Sequence, residues 1–162
     1  MTSRTDFTDD EWNRLARAPL VAGMAISLAD PGGPIEALRE SNAALRTVLA
    51  AAESGEHGDF VKAVAGHVTE QARHGRNPMA GFKPRAADAR DHVLDELQAV
   101  SALLVAKAAP EEADQFREWL KAAAQATALA AKEGGFLGFN AERVSENEQQ
   151  MLERLGTIFG QG

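Results

Sequence analysis

Cysteine and tyrosine are absent from the 162 residues, and only nine aromatic side chains occur, seven Phe and two Trp. Without cysteine there is no disulfide scaffold and no thiol nucleophile, and the composition fits a reducing cytosol. The scarcity of aromatic residues argues against a β-sandwich or barrel, whose strands are filled by aromatic and β-branched side chains. Long apolar runs are missing as well. The longest uncharged stretch near the N-terminus, residues 18–29, is twelve residues long and carries Pro19 and Gly23. A membrane span needs roughly 20. Asp6, Asp9, Asp10 and Glu11 precede it where an export signal would carry basic residues, so the expected location is cytoplasmic. A basic excess is lacking too: the formal charge is −7, and nucleic acid is a poor partner for a chain that cannot neutralise phosphates.

Alanine supplies 32 residues, and alanine is the best helix former. The expected fold is all-α, a single bundle of about six helices. Thr8 and Glu11 form a capping-box pattern that opens helix one. This helix carries Trp12, Leu15 and Ala16 on one face, is expected to kink or break at Pro19, and ends near Ala29. Helix two follows Pro34 and runs to about Glu53, with Ile35, Leu38, Leu45, Val48 and Leu49 as its apolar stripe. Helix three covers about 59–74, with Phe60, Val61, Val64, Val68 and Ala72 inward. Residues 75–86 read as a loop, helix four as about 87–109, helix five as Pro110 to about Lys132, and helix six as Ser145 to about Phe159. The first half (8–74) and second half (87–160) each end a helix in Gly-Gly before a capped one. That fits either an old duplication into two three-helix halves or ordinary glycine C-capping.

Motifs for chemistry are sparse. There is no Gly-x-Ser-x-Gly elbow, no phosphate-binding Gly-x-x-x-x-Gly-Lys, no Gly-x-Gly-x-x-Gly and no Glu-x-x-His of the di-metal bundles. The balance leans away from an enzyme, with no catalytic residue to name. His67, Glu70 and His74 share one helical face, but it lies about 100–160° from the apolar arc and so faces solvent or the flank. Asp88, Asp91 and Asp95 fail the same test. The loop 75–86 holds Arg76, Lys83 and Arg85 with no acid. It reads either as a solvated linker or as a site for phosphate or an acidic partner, and packing of Met79 and Phe82 onto the bundle would make it an ordered clasp. Phe136, Leu137 and Phe139 stand in a glycine-rich loop where polar residues are the norm. They either plug one end of the bundle or form a partner-facing surface for a protein partner or a second copy. The small-residue face of helix five is a further candidate for self-association.

The run Ala128-Leu129-Ala130-Ala131-Lys132-Glu133-Gly134, followed by Val144-Ser145-Glu146-Asn147-Glu148, resembles a motif of the tellurite-resistance TerB-like helical proteins. There an alanine-rich helix ends in Asp-Gly and an Ile/Val-Ser-x-x-Glu helix follows. Asp30-Pro31-Gly32-Gly33 before Pro34-Ile35 is similar to a second copy. Glu replaces Asp at 133 and the connecting loop is longer, and about a third of the chain is covered. The resemblance implies a cytoplasmic bacterial stress-response module holding a divalent metal through Asp30, Glu133 and Glu148, which otherwise serve as helix punctuation. The leading expectation is a non-enzymatic interaction or structural module. A TerB-like metal binder and a small-ligand binder or enzyme with a pocket invisible in the sequence are the alternatives.

Overall fold

The computed structural model describes residues 1–31, 34–133 and 144–160, with the side chains of 34–36, 38, 132 and 133 outside that description. Among the described residues there are six α-helices and no strand. They are α1 (Asp9–Ala29), α2 (Pro34–Glu53), α3 (Asp59–Arg73), α4 (Ala89–Lys107), α5 (Pro110–Glu133) and α6 (Glu146–Gly160), preceded by a 3₁₀ turn at Arg4–Asp6. The all-α reading of the sequence is therefore correct.

Both capping boxes form. The Glu11 N–H donates to Thr8 Oγ1 (3.2 Å) and the Thr8 N–H to Glu11 Oε2 (2.8 Å), which satisfies two N–H groups that a bare helix start leaves unpaired. Ser145 and Glu148 repeat the arrangement at 3.2 and 3.0 Å. Helix α4 ends at Lys107, where Ala108 turns extended (φ −94°, ψ 149°), and Pro110 then disfavours helical geometry at Ala109 before opening α5.

Of the kink or break expected at Pro19, the break does not occur: α1 runs from Asp9 to Ala29 with Pro19 inside it. An interior proline costs about 3 kcal/mol, but α1 is the central helix and packs against all five others. Burial of Leu15, Ala16, Ala18, Pro19, Val21, Ala22, Ala25 and Ile26 along it offsets that cost. The most extensive packing joins α5 to α2 and to α1, so residues from both sides of the 75–86 connection share one core.

That packing depends on small side chains. Ala43, Ala44 and Ala51 on α2 and Ala123, Ala124, Thr127 and Ala128 on α5 are buried, so the small face of α5 is used inside the chain. The seven described aromatic residues are buried as well. Five of them, Phe7, Trp12, Phe60, Phe116 and Trp119, form a continuous ring cluster with neighbouring centroids 5.2–6.2 Å apart, at the end made by the first turns of α1, α3 and α5. The N-terminal segment is tied over this end: the Thr2 N–H donates to Glu112 Oε2 (2.8 Å), the Ala109 N–H to Thr2 Oγ1 (2.9 Å), and Lys107 pairs with Glu11 (2.6 Å).

Candidate functional site

Helix α3 stops at Gly75, whose φ of +66° is the left-handed conformation that glycine adopts without strain. The chain then folds back through consecutive turns. The Met79 N–H donates to Asn77 Oδ1 (2.9 Å), the Ala80 N–H to the Asn77 carbonyl (3.0 Å) and the Phe82 N–H to the Met79 carbonyl (3.0 Å). Phe82 is 5% exposed within the core, against His92 (5.0 Å) and beneath the Arg17 guanidinium (5.7 Å), and Met79 packs on the same core. The 75–86 segment is thus an ordered clasp across α1 and not a solvated tether.

Two clefts adjoin under it, with Asn77 and Pro78 lining both. The first has a volume of about 350 Å³ and is walled mainly by Leu20, Met24, Leu45, Ala72 and Met79. At its floor Ser27 Oγ donates to the Glu40 carboxylate, whose residue is only 1% exposed. A buried carboxylate needs compensating interactions, and held in this way it places a fixed polar group beside mainly apolar walls. Among the described residues no histidine is bonded to Ser27, so no Ser-His pair forms there. Ala72 and Leu45 were expected inward. Ala72 is exposed and Leu45 half-buried, because the last turn of α3 leaves this space open.

The second cleft, about 460 Å³, is lined by Asp10, Asn13, Arg14 and Arg17 of α1 and by Gln71 of α3. Behind it Glu96, with an 8% exposed side chain, gathers both arginines on one oxygen: Arg14 Nε at 3.1 Å and Arg17 Nε and Nη2 at 2.9 and 2.8 Å. His67 lies on the flank and not in free solvent, its Nε2 3.2 Å from Asn13 Oδ1 and its ring edge-on to Trp12. Burial, then the charges of Arg4 and Arg76, hold the His67 imidazole below its ordinary pKa. Glu70 pairs with His74 in the open (2.7 Å), and Asp88, Asp91 and Asp95 are exposed.

Family models, curated proteins and solved structures return no match to the chain. The site residues named from the sequence are placed as follows. Asp30 is exposed at the C-cap of α1. Glu148 is 4% exposed, with its carboxylate on the Ser145 N–H. Glu133 ends α5, and its side chain lies outside the described residues, as do Phe136, Leu137 and Phe139. Among the described residues no group of three or more His, Asp or Glu is arranged to hold a metal ion. The α1 stripe running from Asp10 through Arg14 and Arg17 to Leu20, Met24 and Ser27 was missed. Its signal was the helical spacing of one face that turns from polar to apolar along its length.

Proposed function

We propose that this chain is a small-molecule-binding helical module whose ligand lies with its apolar body in the α1–α2 cleft under the clasp. The observation that carries the reading is the buried Glu40 carboxylate, bonded by the half-buried Ser27, lining a 350 Å³ cleft whose other walls are mainly apolar. Ligand pockets combine apolar walls with a few fixed polar groups in this way, at volumes of about 300–1,000 Å³.

The neutral fluorescent amine N-phenyl-1-naphthylamine tests it. Its emission is expected to rise on one-to-one binding. Ala72→Trp places a large ring in the cleft from an exposed position, so it is expected to weaken binding about tenfold or more, about 1.4 kcal/mol, with the melting temperature unchanged. Equal binding by wild type and Ala72→Trp overturns the proposal.

A further inference from the structure

The polar cleft carries hydrogen-bonding capacity of both signs that the protein itself does not use. Asp10 and Arg14 are one helical turn apart, the spacing at which an acid and an arginine normally pair. Here Arg14 is drawn away to the buried Glu96 through Nε (3.1 Å), and among the described residues its two Nη groups have no acceptor. Asp10 consequently has no ion pair among the described residues and stays exposed on the cleft wall. Arg17 is fixed by the same carboxylate, and its Nη1 lies under the clasp backbone, 3.3 Å from where a Cβ on Gly81 would sit. Across from them, Gln71 Oε1 is buried without a hydrogen-bond partner, while its Nε2 reaches Asn13 at 3.4 Å. Glu11 adds no open charge, since Lys107 and the Thr8 N–H occupy it.

An unused guanidinium asks for an acceptor, and an exposed carboxylate without an ion pair asks for a donor. A simple anion satisfies only the first and a simple cation only the second. The near balance of charge in the cleft disfavours both. Side chains one turn apart on a helix have Cβ atoms about 5–6 Å apart, a span that suits the two charged groups of an α-amino acid with their hydrogen bonds.

We infer that the polar cleft is the head-group site for an α-amino acid with a large apolar side chain. Arg14, with Arg17 behind it, takes the carboxylate, Asp10 takes the ammonium, and the side chain runs beneath Asn77–Pro78 into the apolar cleft. This rests on the small-molecule reading above and names its ligand class.

Calorimetric titration of the full chain with L-leucine, L-methionine and L-phenylalanine tests it, together with two truncated forms of leucine. 3-Methylbutylamine lacks the carboxylate, and 4-methylpentanoate lacks the ammonium. At least one amino acid is expected to bind, with both truncated forms about tenfold weaker or more than leucine. Arg14→Gln is expected to erase the preference over the amine, and Asp10→Asn the preference over the acid. Both positions are solvent-accessible, and unchanged melting temperatures confirm that the variants fold. No binding of any of the three at millimolar concentration, equal affinity for all forms, or insensitivity to both substitutions overturns the inference. Dye binding that Ala72→Trp abolishes, without amino-acid binding, overturns this inference alone. Loss of both signals overturns the cleft reading as well.

Discussion

Replacing Gly23 by alanine sets two effects against each other. Alanine in a helix interior is favoured over glycine by about 1 kcal/mol. Gly23, however, sits where α1 meets both α2 and α5. A Cβ there would lie 2.8 Å from Thr127 Oγ1 and 3.0 Å from the Ala44 Cβ. Thr127 is fully buried, and its hydroxyl donates to the Ala123 carbonyl at 2.9 Å, so it cannot rotate away without stranding a polar group. Over-packing of this kind costs about 1–3 kcal/mol, and the stranded hydroxyl adds about 1 kcal/mol or more. The close approach wins, and Gly23→Ala is expected to destabilise the chain by about 1–3 kcal/mol net. Urea denaturation measures this as a lower midpoint at unchanged slope. In a Thr127→Ala background part of the clash is gone, and the cost of Gly23→Ala should fall by about 1 kcal/mol, the coupling expected of touching residues. A Gly23→Ala protein as stable as wild type or more so refutes the reasoning.

Further outcomes follow from other contacts. Phe82→Ala should cost about 3 kcal/mol, the low end for a buried phenylalanine, and should open residues 75–86 to limited proteolysis, whereas a tether would lose under about 0.5 kcal/mol. Burial lowers the His67 pKa, so the folded chain binds fewer protons there than the unfolded one. The resulting stability is complete above about pH 6.5 and is lost as pH falls through the folded value. His67→Gln, which keeps a donor for Asn13, should flatten that part of the denaturation-versus-pH curve, and an unchanged curve contradicts it. Glu148→Ala should cost about 1 kcal/mol through the capping box, by the same amount with and without millimolar Ca²⁺, Mn²⁺ or Zn²⁺. A metal-dependent stabilisation lost in both Glu148→Ala and Asp30→Ala favours the carboxylate-metal reading instead.

Caps and stripes were the most legible features of the sequence. Thr8/Glu11 and Ser145/Glu148 act within four residues, so local chemistry alone decides them. Val64, Val68, Val93, Leu97, Val100 and Leu104 repeat at helical spacing and are all buried. The helix continues past Pro19; a propensity argument weighs one residue's lost hydrogen bond and cannot weigh the burial that α1 receives from five neighbouring helices. The clefts escaped for a related reason. Periodicity marked Leu45 and Ala72 as inward and said nothing of a gap between the helices that carry them. The bonds of Arg14 and Arg17 to the shared Glu96 span about 80 residues of sequence, and no local pattern encodes them. Residues whose stripe position says buried and whose structure says half-open turned out to outline the cleft.

Two-dimensional NMR of the isotope-labelled chain titrated with N-phenyl-1-naphthylamine tests the central claim most directly, because it reads where a small molecule sits. Saturable shifts concentrated at Leu20, Met24, Ser27, Leu45, Ala72 and Met79 are predicted. Shifts centred on Phe136, Leu137 and Phe139, or none at any of these positions, would contradict the account.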